Sequence, residues 1–335
     1  MKPKSEDDIL AIIGRLFPNE HRGMLLGRGD DCAVLAPCGP RAVTTDIFAE
    51  DAHFRRSYFT PFDIGYKALA VNVSDVGAAG AAPSGVSVGL TLSGGEDEAW
   101  IEGFCLGMRD LADRFGLALT GGDLTKAASV NVCITAWGDL PEGLPLGLRR
   151  GMAREGDAVF LIGGAGLARL GLEALEAGYS GSPEGPRAGD FPEAVRAHLH
   201  PLPKVREGMA VAGYAVKHAL QDRIGLMDVS DGLARDLPRL LDSRRSGLGA
   251  DVVLDMRALH PEVVRHAGTG AAAYAFAGGE DYALAGTCPA EHAGGLRDAL
   301  ARQGLEAPLF IGMVRPGGIV LNGEAWRSEG FDHFG

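Results

Sequence analysis

Residues 66–83 read YKALAVNVSDVGAAGAAP. Their spacing, with the PFDIG run before them, predicts a helix over Phe62 to Ala79, and Ile64, Ala68, Val71 and Val76 are available for a buried stripe. Asn72 and Asp75 stand three apart, so on that helix they share a face. Directly after it, Gly85 to Leu92 alternates Val86, Val88, Leu90 and Leu92, the pattern of a strand. A helix feeding a strand through a Gly-Ala-Ala-Pro turn sets the first half of the chain as α plus β.

Working outward, Ser5 to Phe17 reads as a helix capped by Ser5, with Asp8 three residues on and Ile9, Ile12, Ile13 and Leu16 on one face. Leu25 to Leu35 holds the Gly-rich GRGDDCAVL turn and a short strand. Arg41 to Asp46 is a strand ending in hydroxyls and a carboxylate. Glu96 to Phe115 is a helix, Leu117 to Thr120 a short strand ending in GGD, and Ser129 to Trp137 another strand. Pro141 to Gly151 (PEGLPLGLRRG) has the Pro and Gly content of a linker. The expected division is thus 1–140, a linker at 141–151, and a second α+β domain over 152–335. That half opens on a buried-type strand, Ala158 to Ile162, then GGAGLARLG opening a helix. Tyr179 to Pro192 is expected as a long polar loop. Helices follow at 204–220, 233–243 and 290–303, with strands at 223–227, 250–255, 310–314 and 318–321. The whole is a two-domain chain of mixed α+β and α/β character.

Composition narrows the function. With 32 basic and 44 acidic residues in a 335-residue chain, the net charge is −12. That balance argues against a nucleic-acid binder, which needs basic patches. Apolar content of 46% argues against disorder. No apolar run approaches the roughly 20 residues of a membrane span. The opening MKPKSEDD has no apolar core of a signal peptide, and five scattered cysteines without C-x-x-C suit a reducing compartment. A cytoplasmic protein is expected. The 50 glycines cluster in pairs beside acids, which implies tight turns where backbone approaches something closely.

Six segments place a carboxylate at a strand end or helix turn beside Gly, Ser or Thr. They are Asp30-Asp31, Thr44-Thr45-Asp46, Asn72 with Asp75, Gly121-Gly122-Asp123, Asp228-Val229-Ser230-Asp231 and Gly278-Gly279-Glu280-Asp281. Each alone reads as a cap or turn residue. Gathered in one pocket, such carboxylates would repel strongly, and only Arg28 and Lys126 lie near in sequence. Hard oxygen ligands with no Cys and little His favour Mg²⁺, which is completed by water and substrate phosphates. The pattern therefore points to magnesium–nucleotide chemistry. GGAGLARLG follows a strand and opens a helix, but Arg169 breaks G-x-G-x-x-G, and tight strand–helix packing is the preferred reading. His53, seven residues past the Asp46 strand end, could donate to a substrate oxygen. Cys32 lacks a placed base, so a nucleophilic thiol is disfavoured. Trp326 and Phe331 are candidates for core or for covering an aromatic ligand.

As a set, GDDCAVL, TTDIFAEDAHF, YKALAVNVSDVGAAGAAP, GGDLTKA, DVSDGLARDL, GGEDYAL and GFDHF resemble the thiamine-monophosphate kinase family, within the larger group of aminoimidazole-ribonucleotide-synthetase-like ATP enzymes. The resemblance covers nearly the whole chain in order. It implies an N-terminal α/β domain whose sheet pairs in a homodimer, a C-terminal α+β domain, and an active site in the cleft between them. It implies ATP-dependent conversion of thiamine monophosphate to thiamine diphosphate. On it, Asp31, Thr44, Thr45, Asp46, Asp75, Asp123, Asp228 and Asp231 hold several magnesium ions, with Asp75, Asp123 and Asp231 the catalytic carboxylates. Gly122, Asp123, Arg150 and Ser230 contact ATP, and His53, Glu280 and Phe331 contact thiamine monophosphate. The chain departs from the family pattern at Arg28, Ala52, Leu124 and Phe331. Rival readings are a sister ATP enzyme, whose N-terminal reactive Cys or C-terminal Cys tail is not seen here, and a silent Mg–nucleotide binder.

Overall fold

A computed structural model describes residues 5–21, 23–180 and 186–327. Its contacts divide the chain into two units, Met1–Val76 with Ala82–Leu140, and Gly77–Ala81 with Pro141–Gly335. Residues 141–151, expected as a linker, group with the second unit, where Leu144 and Leu148 enter a core.

The first unit runs α1 (Glu6–Leu16), β1 (Met24–Leu26), β2 (Val34–Leu35), β3 (Arg41–Ala49), α2 (Pro61–Ala78, whose last two residues group with the second unit), β4 (Ala82–Leu92), α3 (Glu98–Phe115), β5 (Ala118–Lys126) and β6 (Asn131–Asp139). Its main sheet has the order β3-β6-β4-β5, with β4 and β5 parallel and the other pairs antiparallel. The α1 start follows the sequence reading: Ser5 and Asp8 form a reciprocal capping box. Helix α2 stands within one residue of its expected bounds with Ile64, Ala68, Val71 and Val76 buried, but its burial goes beyond a stripe to nearly every side, Asn72, Ser74 and Lys67 included. It lies against β3 and β6 on one side and against α3 on another, where a Cβ at Gly65 would stand 2.0 Å from the Phe104 carbonyl oxygen. The GGD segment also departs from expectation. It lies inside β5, which runs on to Lys126 rather than ending at Thr120.

The second unit adds β7 (Ala158–Ile162), α4 (Leu167–Ser180), α5 (Pro192–Leu199), α6 (Val205–Lys217), β8 (Gly225–Asp228), α7 (Leu233–Leu240), α8 (Ser243–Ser246), β9 (Leu248–Val252), α9 (Pro261–Ala267), α10 (Ala271–Ala277), β10 (Leu284–Cys288), α11 (Ala293–Ala301), β11 (Leu309–Pro316), β12 (Val320–Leu321) and β13 (Glu324–Ala325). The polar loop expected at 179–192 is shortened from both ends, because α4 runs to Ser180 and α5 begins at Pro192; residues 181–185 lie outside the described residues. The seven-stranded sheet has the order β13-β12-β9-β11-β7-β10-β8. Every residue of β7 is buried, as its unbroken apolar run predicts. Val159 and Leu161 enter a core with α4, α7 and α10, while Ala158, Phe160 and Ile162 enter another with α6 and α11. Helices therefore cover both faces. No described helix is long and apolar enough to cross a membrane.

Candidate active site

In the first unit the period of two along β3 sorts the hydroxyls. Thr44 and Asp46 face α2, whereas Thr45 lies on the opposite face, with Val43 and Ile47, and its hydroxyl is 2.8 Å from that of Thr135. The Thr44 hydroxyl donates to Asp75 Oδ2 at 2.6 Å, and the Asp46 amide donates to Asn72 Oδ1 at 3.1 Å. Asn72 and Asp75 thus share a face of α2, as their spacing implied. Burial, the facing Asp75 carboxylate and a hydrogen bond to it push the Asp46 carboxyl up to about 6. Among the described residues neither carboxylate is paired with Lys or Arg.

Asp31 is exposed in the 28–33 turn, and Asp123 is exposed on β5 opposite Gly89 of β4. Neither is hydrogen-bonded to Asp46 or Asp75. Gly122 is required by close approach, because a Cβ there would stand 1.8 Å from the Val88 carbonyl oxygen. His53 Nδ1 accepts from the Ala49 amide at 3.1 Å, which places the neutral ring's proton on Nε2 and makes that atom a donor. Arg28, one of two cations near the acidic segments in sequence, is spent on structure. It donates to the Leu119 and Phe17 carbonyl oxygens at 2.5 and 2.6 Å.

In the second unit two motif loops lock together through backbone. Glu280 N donates to Ser230 O at 2.7 Å, Tyr282 N to Val229 O at 3.0 Å, and Val229 N to Ala283 O at 2.8 Å. Gly279 permits this, since a Cβ there would lie 2.6 Å from the Ser230 carbonyl oxygen. Asp228, Ser230 and Asp231 leave the end of β8, and Asp228 is buried. Asp231 differs from the first-unit acids: Arg239 donates to it at 2.6 Å and Arg235 stands 3.8 Å away. Arg149 pairs with Asp222 and its backbone bridges to Gly225, so of the two adjacent arginines it is Arg150 that is exposed. Phe331 lies outside the described residues.

Two carboxylates that the sequence reading assigned no role support this pair of loops. Asp236 accepts from the Ser230 and Asp231 amides at 3.0 and 2.8 Å, and burial raises its pKa. Asp281 accepts from Gly166 N at 2.6 Å and Ala168 N at 2.9 Å, at the start of α4. The Gly166 and Ala168 amides of GGAGLARLG, weighed above as a phosphate cradle, are therefore taken up by the protein's own Asp281 carboxyl. The signal was in the sequence, since a helix start without a capping side chain needs an acceptor from elsewhere.

Thr44, Asp46 and Asp75 present hydroxyl and carboxylate oxygens without sulfur or imidazole, the donor chemistry that magnesium takes. Among the described residues no group of three or more His, Cys, Asp or Glu forms a cage. Magnesium is commonly held by one or two carboxylates with water and phosphate oxygens, so a facing pair fits it. Burial first, and the facing Asp75 carboxylate after it, raise the Asp46 carboxyl, and a divalent cation bound beside the pair would favour the ionised forms of both.

Residues 29–140, within the first unit, match the family described as AIR synthase related protein, N-terminal domain. Over 339 residues the chain is 33% identical to the thiamine-monophosphate kinase of Salmonella typhimurium, with 97% of each chain covered. The crystal structure of the Stenotrophomonas maltophilia thiamine-monophosphate kinase superposes with a TM-score of 0.78 at 31% identity, covering 96% of this chain and 98% of that one. A second solved structure, AaThiL complexed with AMPPCP and TMP, gives a TM-score of 0.72 at 27% identity and covers 100% and 99%. The chain belongs to the thiamine-monophosphate kinase family, as its motifs implied.

Proposed function

We propose that this chain transfers the γ-phosphoryl group of ATP to thiamine monophosphate, giving thiamine diphosphate and ADP. The observation that carries the reading is the end-to-end likeness to thiamine-monophosphate kinases, one relative having been solved with an ATP analogue and TMP. The chemistry suits the residues. A phosphate monoester has a second pKa of about 6 and is largely dianionic at neutral pH. Its oxygen attacks the γ-phosphorus, the bond from γ-phosphorus to the β,γ-bridging oxygen breaks, and ADP leaves, so no strong general base is needed. The barrier is the approach of two polyanions. Magnesium, when bound, supplies positive charge against that repulsion. Asp31, Thr44, Thr45, Asp46, Asp75 and Asp123 of the first unit and Asp228 and Asp231 of the second are the residues assigned to hold it. Thr45 would have to act from the far face of β3, and Asp231 would have to exchange its arginine partner.

Gly122, Ser230 and Arg150 are assigned to ATP, and His53, through its Nε2 proton, to an oxygen of thiamine monophosphate, with Glu280 and Phe331. The face of the first sheet that bears Val43 and Ile47, which are 65% and 60% exposed, supports a homodimer through that face. The setting is the cytoplasm.

Thiamine diphosphate formation from ATP and thiamine monophosphate, followed by chromatography with and without Mg²⁺, tests the reading. ATP consumption without that product would overturn it. Rapid quench with γ-labelled ATP tests direct transfer. A labelled protein forming and decaying at the turnover rate would require a phospho-enzyme instead.

A further inference from the structure

Glu280 carries its carboxylate on a backbone that side-chain-bearing residues rarely adopt. Its φ is +65°, and that of Tyr282 is +48°. Such conformations persist only where surroundings over-determine them, and they gather at functional sites. The loop's backbone is tied on both sides, by the Ser230 and Val229 carbonyls and by the grip of Asp281 on the start of α4.

The side chain is held by something else. Glu280 Oε2 lies 3.0 Å from Nδ1 of His198 on α5. The His198 side chain is 1% exposed, while that of Glu280 keeps 28%. An ionised carboxylate only accepts, so Nδ1 carries the proton and donates. The histidine itself has little room to move. At Gly171 of α4 a Cβ would stand 2.0 Å from the Ala194 carbonyl oxygen and 2.8 Å from the His198 Cβ. A buried, tightly packed donor therefore points at a half-exposed acid.

We propose that His198 is a positioning residue for substrate selection. It does not meet thiamine monophosphate. It fixes the Glu280 carboxyl group in one rotamer by hydrogen bonding, so that its accessible edge is presented to the cationic, amine-bearing part of that substrate. The inference rests on the assignment of Glu280 to thiamine monophosphate.

Steady-state kinetics with each substrate varied in turn test it. H198L keeps the apolar volume and loses the donor. It should raise KM for thiamine monophosphate about tenfold and leave kcat and KM for ATP within about twofold. H198N, whose amide can donate from nearly the same place, should recover most of that loss. In an E280A background H198L should add nothing. Should H198L fail to fold, H198M carries the same comparison. The positioning role is overturned if KM rises equally for both substrates, if H198N is no better than H198L, or if the H198L and E280A effects simply add. An unchanged KM for thiamine monophosphate in E280A would instead overturn the assignment of Glu280, and the inference with it.

Discussion

Asp281→Asn isolates one buried acid. Burial pushes the Asp281 carboxyl from its ordinary 3.8 up to about 7, against the pull of the Ala168, Gly166 and Leu167 amides. The sign follows from linkage. A carboxyl whose folded value is raised binds its proton more tightly in the native state than in the unfolded chain. Its contribution is fully present below about pH 4 and is lost as pH rises toward 7. The whole loss is about 4 kcal/mol, of which about 2 kcal/mol falls between pH 5 and pH 7. Asparagine copies the neutral acid, with one oxygen to accept and one polar hydrogen-bearing atom, and does not titrate. The stability of the native protein minus that of D281N should therefore shrink by about 2 kcal/mol from pH 5 to pH 7 and level off above pH 8. Other acids cancel in the difference, provided they lie apart from residue 281. Urea unfolding at pH 5, 6, 7 and 8 measures it, followed by pulsed hydrogen exchange of peptides spanning β7 and α4 so that the second unit is read by itself. A difference constant across that range would mean that the amides outweigh burial and that Asp281 is ionised throughout.

Three further substitutions probe the first unit. D75N should cut thiamine diphosphate formation at least about a thousandfold with an unchanged circular dichroism spectrum, and a rate within tenfold of native would remove Asp75 from the reaction. Arg28→Leu leaves the Leu119 and Phe17 carbonyl oxygens without their charged donor, so the unit should lose about 2 kcal/mol of stability in urea while both KM values hold. Gly122→Ala must force β5 away from Val88, and should raise KM for ATP severalfold while costing about 2 kcal/mol or more; an unshifted melting temperature would show that the strands are looser than drawn.

What the sequence disclosed was mostly local. The Ser5–Asp8 capping box and the unbroken β7 run each carry their cause within a few residues, and both stand as read. Asn72 and Asp75 share a face because helix geometry alone requires it. The failures are those of tertiary context. The apolar residues of α2 mark a stripe, yet the helix is enclosed by sheet and α3, so its polar positions are buried too. The paired glycines at 121–122 read as a turn, but β4 pairs with β5 as far as Lys126, and glycine answers there to the nearness of Val88. Helix α5 went unread because PEAVRAHL spans only eight residues behind a Gly- and Pro-rich stretch. His198 was missed with it. Thr44 and Thr45 looked equivalent until strand register put them on opposite faces.

The acid excess itself also reads differently with the fold in hand. Taken from composition, a charge of −12 with carboxylates beside glycines suggests one cluster awaiting cations. Three of the chain's acids, Asp281 among the glycine-flanked ones and Glu262 and Asp236 outside them, serve instead as acceptors for backbone. Asp281 closes the start of α4, Glu262 accepts from the Glu193 and Ala194 amides at the start of α5, and Asp236 holds the loop before α7. Asp281 and Glu262 stand in for capping side chains at the starts of α4 and α5, Asp236 ties down the turn that precedes α7, and all three accept from N–H groups. Asp46 and Asp75 are a different case, because there one acid faces another, and burial together with the facing Asp75 pushes the Asp46 carboxyl up to about 6. A carboxyl whose oxygens are taken up by amides has its acceptors satisfied without a ligand. A pair of acids answered by neither amide nor base is stabilised by whatever positive charge arrives, and that environment, rather than the count of acids, sets Asp46 and Asp75 apart from Asp231, which Arg239 already answers.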